Sequence, residues 1–237
     1  FATTVMAGFF PVFFSAYWAV GSSAAEGTFY LGLANSIGSA IIAILAPFLG
    51  SIADWGSYKK RLLAFFALLG AVMTASLSLL QMGNWPMAVV IYLFAMVGFA
   101  GGNTFYDALL PYVASEEKVD FVSSLGYSLG YIGGGLLFAV NVLMFLNPEW
   151  FSIVSQEQAV KLSFVMVGIW WAVFSLPILL FVKEEKSREA LPLGQAIRKG
   201  MRVTINTVKS FRSLRTISFF LVAYWLYIDG VDTIIVM

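Results

Sequence analysis

Seven stretches of this chain stay apolar for long enough to cross a lipid bilayer, at residues 1–21, 29–53, 62–82, 87–112, 125–146, 162–182 and 217–237. A helix needs about 20 apolar residues to cross a hydrocarbon core about 30 Å thick. Spanning strands would alternate apolar and polar positions, and these runs are continuously apolar. Inside a bilayer no water is available to backbone N–H and C=O groups, so helices that satisfy themselves internally are the remaining solution. Composition agrees. The 237 residues are 60% hydrophobic and 11% charged, against about 45–50% and about 25% in soluble domains. The sequence therefore predicts an all-α polytopic membrane protein whose solvent is the lipid bilayer.

Cysteine and histidine are both absent. Disulfides, thiol nucleophiles, histidine-ligated metals and imidazole relays are thereby excluded, and no metal or cofactor is expected. Proton chemistry must run through carboxylates or tyrosines. The net charge of +1 points to no nucleic-acid partner. The chain opens on Phe1 with no basic stretch ahead of a short apolar core. That reads as a sequence without a signal peptide, cut at its N-terminus.

Orientation follows from the basic residues. Lys59, Lys60 and Arg61 separate the second and third spans, and Lys118 the fourth and fifth. Lys183, Lys186, Arg188, Arg198, Lys199, Arg202, Lys209, Arg212 and Arg215 follow the sixth. Thirteen of the 14 basic residues thus share one side, with Lys161 alone opposite. The positive-inside rule makes that side cytoplasmic. The connection over 183–216 is the one long loop. Its second part, LGQAIRKGMRVTINTVKSF, sets Leu193, Ile197, Met201, Ile205 and Val208 on one stripe with cations elsewhere. This predicts an amphipathic helix on the cytoplasmic membrane surface. The organisation expected is a six-helix bundle over 1–182, a linker over 183–216, and over 217–237 the first helix of a second bundle.

Between the second and third spans stands GSIADWGSYKKRLL. It resembles the loop signature of the major facilitator superfamily, with Gly50, Ile52, Ala53, Asp54, Lys59 and Leu62 in register. Trp55 stands where a basic residue is usual. Ser57 takes the place of the second glycine, with Gly56 one position early. A gating loop would comprise Gly50, Asp54, Gly56, Lys59, Lys60 and Arg61. In it Asp54 pairs with Lys59 or Lys60 and faces a positive helix N-terminus of the other bundle. Read without the resemblance, the same residues are a helix-ending aspartate and topological anchors.

Four more stretches, ATTVMAGFFPVFF, FYDALLPYVAS, SLGYSLGYIGGGLL and LYIDGVDTII, are similar to the vacuole-effluxer-like branch of that superfamily, related to the autophagy-associated vacuolar amino-acid exporters. With the loop they cover nearly the whole chain in order. The resemblance implies twelve helices in the complete protein, a neutral amino acid as solute, and export from a compartment or cell. The membrane would be the cell (inner) membrane, or a vacuolar-type one in a eukaryote.

Gly126, Gly130, Gly133, Gly134 and Gly135 line the fifth span, and glycines four apart predict close helix packing there. The stretch is similar to the superfamily's antiporter motif, but Tyr131 replaces the required proline, so exchange is not inferred. An aspartate at a helix centre costs about 2.5–3.5 kcal/mol, so it usually faces a cavity or a partner. Asp229 and Asp232 lie roughly 18 and 22 Å into the last span and share a face. Two carboxylates that close would share a proton, which makes them candidates for proton coupling or for binding a substrate ammonium. Asp107 sits near the cytoplasmic end of the fourth span. Asn35, Asn103 and Asn141 either line a polar path or bond neighbouring helices. ATTVM at 2–6 echoes TIIVM at 233–237; in a repeat-built transporter that would put Thr3 and Thr4 at the same cavity.

The function expected is a secondary active transporter working by alternating access, proton-linked, exporting neutral amino acids, its partners being the solute, the proton and the bilayer. A sugar–cation symporter of the same superfamily is the alternative. Seven spans also invite a seven-helix receptor or photoprotein, although the last span has no lysine for a retinal Schiff base. A membrane enzyme would lack thiol, imidazole and metal chemistry. A small sugar facilitator of three, one and three helices would not carry so long a linker after the sixth. Oligomeric state is not legible.

Overall fold

A computed structural model describes residues 2–55, 57–184 and 191–210, with scattered positions of 216–227 beyond. Helices are the regular secondary structure among these residues, joined by short turns. α1 (Ala2–Phe13) runs directly into a π-helical turn, Phe14–Trp18. α2 (Ala24–Trp55), α3 (Lys59–Ser76), α4 (Trp85–Asp107), α5 (Val119–Leu146) and α6 (Gln156–Phe181) follow, and then α7 (Leu193–Ser210). Among the described residues five helices are long and apolar enough to cross a membrane, and a shorter apolar one covers Met6–Trp18. The expected span over 217–237 lies largely outside the described residues.

The helices start earlier than the apolar runs because their caps are polar. Ser23 and Glu26 form a capping box at α2: the Glu26 carboxylate accepts from the Ser23 N–H at 2.7 Å, and the Ser23 hydroxyl accepts from the Glu26 N–H at 3.3 Å. Ser155 caps α6 by accepting from the Gln158 N–H at 3.2 Å. At α3 the basic triplet lies inside the first helical turn rather than in a loop.

The core has two layers. The outer layer is aromatic: Trp18 is fully buried, edge-on to Phe13 at 5.0 Å and stacked on Phe164 at 5.8 Å, while Phe10 stacks on Tyr92 at 4.3 Å. The layer at the basic end gathers Ile52, Ala53, Leu63, Phe66, Phe105 and Leu109, with Ile197 of α7 packed against it. Between them α3, α4 and α6 come close enough to touch backbone to backbone. A Cβ on Gly98 would stand 2.5 Å from the Gly70 nitrogen, and one on Gly168 would stand 2.6 Å from the Ala71 oxygen.

Close packing was expected instead along α5. There a Cβ on Gly130 or Gly135 would meet nothing within 4 Å, and one on Gly133 would only touch Trp170 at 3.9 Å. Gly134 is buried and Gly126 partly so, its Cβ direction leading to the Tyr106 hydroxyl at 3.4 Å. The reason is position: Gly126, Gly130 and Gly133 share one stripe of α5 within about 60°, and a Cβ there meets no neighbouring backbone, whereas Gly98 packs on Gly70 between α4 and α3 and Gly168 packs on Ala71 between α6 and α3.

α7 forms where amphipathic spacing places a helix, and it also docks on α2. Its apolar side is seated on α2: Ala196 and Gly200 are buried, and a Cβ on Gly200 would overlap the Ser51 side chain. Of the expected apolar stripe, Leu193 and Ile205 are exposed while Ile197 packs against the buried layer. Small residues admit α2 more closely than the larger aliphatic ones could, so Ala196 and Gly200 set the docked face.

Candidate functional site: the cytoplasmic end

The signature loop leaves α2 at Trp55 and enters α3 at Lys59, and Tyr58 offers α3 no side-chain cap. Glu184, just beyond α6, supplies one. Its Oε1 accepts from the Lys59 N–H at 2.9 Å and its Oε2 from the Lys60 N–H at 3.2 Å. A carboxylate there satisfies two unpaired donors and faces the positive end of the helix. The two side chains reach outward from the same turn. Lys59 Nζ donates to the Tyr112 hydroxyl at 3.0 Å and lies 4.8 Å from the ring centroid. Lys60 Nζ donates to the Val182 carbonyl at 2.5 Å, at the C-terminal end of α6 where no helical partner remains. The start of α3 and the ends of α4 and α6 are thereby joined. Beside them opens a cavity of about 580 Å³ lined by Pro111, Tyr112, Val113, Phe181, Val182 and Lys183.

Asp54 was expected to pair with Lys59 or Lys60. It is exposed near the end of α2. Among the described residues the ion pair within 4.0 Å is Lys161–Glu157, on the opposite side of the molecule. Both lysines are held by Tyr112, Val182 and Glu184 instead, because α2 stays helical through Trp55 and carries Asp54 away from the α3 entrance. Arg61 is exposed, a Cβ on Gly50 would meet nothing within 4 Å, and Gly56 lies outside the described residues. The buried Ser57 hydroxyl has no partner among the described residues. α7 closes the loop from below: the Leu191 N–H donates to the Trp55 carbonyl at 2.9 Å, and Lys199 Nζ lies 3.6 Å from the Trp55 ring centroid.

At membrane depth the structure separates the polar candidates. Asn35 Oδ1 accepts from the Tyr92 hydroxyl at 2.9 Å, stitching α2 to α4. Asn103 and Asp107 are exposed one turn apart on α4, beside Tyr106 and the α5 surface at Gly126. Asn141 is fully buried, and neither amide atom has a partner among the described residues; such a group costs about 1–3 kcal/mol. Asp229 and Asp232 lie outside the described residues. Thr3 and Thr4 fall in the backbone of α1, and their side chains are outside the described set.

Sequence reasoning missed Glu184, Tyr112, Val182 and Lys199. It also missed the outer anchor, where Lys161 Nζ donates to the Tyr17 hydroxyl at 2.8 Å and to Glu157 at 2.9 Å. For Lys161 a signal existed, since it is the lone basic residue on that side. For Glu184 there was only its place as the first carboxylate after the sixth span.

Spanning helices joined at a basic end define a multi-pass membrane protein. Comparison with known proteins gives the family. A family model described as "Vacuole effluxer Atg22 like" matches residues 19–120 and 115–237. Over 242 residues the chain is 36% identical to a protein of Bacillus subtilis (strain 168) named "Uncharacterized MFS-type transporter YxiO", covering 100% of this chain and 55% of that protein. It is 25% identical over 260 residues to Autophagy-related protein 22 of Pichia angusta, covering 88% of this chain and 46% of that one. Against Autophagy-related protein 22 of Saccharomyces cerevisiae (strain ATCC 204508 / S288c) it is 25% identical over 225 residues, covering 78% and 42%. No solved structure matches. The chain belongs to the vacuole effluxer Atg22-like family, a family of transport proteins rather than enzymes. It spans about half the length of the curated relatives it matches.

Proposed function

We propose that residues 1–182 form one half of a secondary transporter working by alternating access, with 183–216 as its cytoplasmic linker and 217–237 as the opening helix of the other half. The observation that carries this reading is the division of labour at the cytoplasmic end. Glu184, Tyr112 and Val182 hold Lys59 and Lys60, so α3, α4 and α6 move as one body. Asp54, exposed at the same end, is available to a helix N-terminus facing it from a second bundle. It serves as the gate carboxylate, made when the cytoplasmic mouth is shut and broken when it opens.

Asp229 and Asp232 are the proton-coupling pair, with Asp107, Asn103, Asn35, Thr3 and Thr4 contributing to the solute path. Neutral amino acids are the solutes, exported from the cell or from a vacuole-type compartment. The resemblance to vacuolar exporters supports the solute class, and the Bacillus relative supports a cell membrane. Flux of radiolabelled leucine, tyrosine and melibiose through vesicles holding the full-length protein, with and without a proton gradient, tests the reading. Gradient-dependent amino-acid flux is expected, abolished by Asp229→Asn with insertion intact. Melibiose flux without amino-acid flux replaces this reading by the sugar–cation symporter, and unchanged pH dependence in Asp229→Asn removes the coupling role.

A further inference from the structure

With its small-residue face seated on α2, α7 turns a different face outward. Arg198, Arg202 and Lys209 are all exposed. Spaced four and seven residues apart, they fall within about 40° on a helix of 3.6 residues per turn, on the side opposite Gly200. Ile205 lies on the same ridge between Arg202 and Lys209 and is 49% exposed. From residue 190 to residue 228 the sequence has six basic residues and no acidic one, so the ridge has no carboxylate of its own segment to neutralise it.

The level of this ridge in the bilayer follows from α2. That helix has 32 residues, about 48 Å of length against a hydrocarbon core of about 30 Å, so roughly 9 Å projects at each end when it is centred. Ser51 lies one turn before the end at Trp55, about 6 Å in, which places it just outside the hydrocarbon. α7 crosses α2 there, at Gly200. A cationic ridge held at that level meets the lipid phosphates, and an exposed isoleucine among the cations suits an interface that is part acyl chain. A soluble polyanion would match the charge but would leave Ile205 without an environment.

We infer that the outward ridge of α7, Arg198, Arg202, Ile205 and Lys209, binds the head groups of anionic phospholipids. Bilayer composition thereby holds the linker helix against the end of α2. This does not depend on which solute is carried.

Residues 1–237 contain no cysteine, and any cysteine elsewhere in the full-length protein is replaced by serine before the test. Gln195→Cys, exposed at the edge of the ridge, gives a single attachment point for an environment-sensitive fluorophore. The full-length protein is reconstituted in nanodiscs of phosphatidylcholine alone or with phosphatidylglycerol. The expected result is a blue shift and reduced quenching by aqueous acrylamide in the phosphatidylglycerol discs only. Neutralising the ridge with Arg198→Gln, Arg202→Gln and Lys209→Gln removes the response, while Arg198→Lys, Arg202→Lys and Lys209→Arg retain it. Each cation is worth roughly a fivefold preference for the anionic surface, so the triple neutral variant loses about a hundredfold on titration of phosphatidylglycerol. Should that variant not fold, Arg202→Gln alone gives the expected fivefold step. An equal response in both lipids, or a response that survives neutralisation, overturns the inference. So does a shift produced in phosphatidylcholine discs by added polyglutamate, which would make a soluble acidic partner the occupant.

Discussion

A carboxylate that accepts from two successive backbone N–H groups, as Glu184 does from Lys59 and Lys60, both caps a helix and opposes its dipole. Glu184→Gln keeps an acceptor but loses the charge, so the first turn of α3 should be weakened by roughly 0.5–1 kcal/mol. Amide hydrogen exchange at residues 59–62 should then quicken about two- to fivefold, the equivalent of that loss in local opening. An unaltered rate would show the cap to be idle. At this scale the sequence was half legible. The basic residues declared themselves through their number and side, but which groups hold them depended on tertiary proximity. Glu184 lies more than a hundred residues from the turn it caps, a distance over which no local pattern operates. Asp54 looked the natural partner because it is near in sequence, yet helix geometry points it elsewhere.

Elements were easier to read in kind than in contact. Apolar length predicted the spans, and amphipathic spacing predicted α7. Which face of each helix meets a neighbour is a question about three-dimensional crossings, and there the glycines misled. Close spacing in α5 was conspicuous, while Gly98 meets Gly70, and Gly168 meets Ala71, only on folding. The contrast is measurable. Gly98→Ala should lower the melting temperature, since overpacking against the Gly70 backbone costs roughly 1–3 kcal/mol. Gly130→Ala, entering open space, should leave it unchanged or raise it, because alanine favours a helix by about 1 kcal/mol. Thermal unfolding of the two variants in detergent decides it, and a reversed order would sink the crossing described here.

For the whole molecule, the basic residues predict sidedness. Contacts between helix ends form two groups: Tyr17 meets Lys161 and Gly83 at one end, and Lys59, Tyr112, Val182 and Glu184 meet at the other, basic end. Single cysteines, placed in a full-length protein from which any other cysteine has been removed, test that sidedness at the membrane. Ser115→Cys, between α4 and α5, should react with an impermeant maleimide only from the cytoplasm, and Ser152→Cys, between α5 and α6, only from outside. Labelling of both from one face would invalidate the topology.

The π-helical turn at Phe14–Trp18 has a consequence for the ancestry of the first span. A π turn is an α-helix with one residue inserted, and each residue advances a helix by about 100°. Tyr17, anchored to Lys161, therefore fixes the azimuth of everything before it through that one extra position. Deleting a single residue such as Ser15 would leave the span helical and nearly as long, yet swing the face bearing positions 3 and 4 by about a quarter turn. In this span the reading frame of the helix, rather than any side chain, decides which residues look inward.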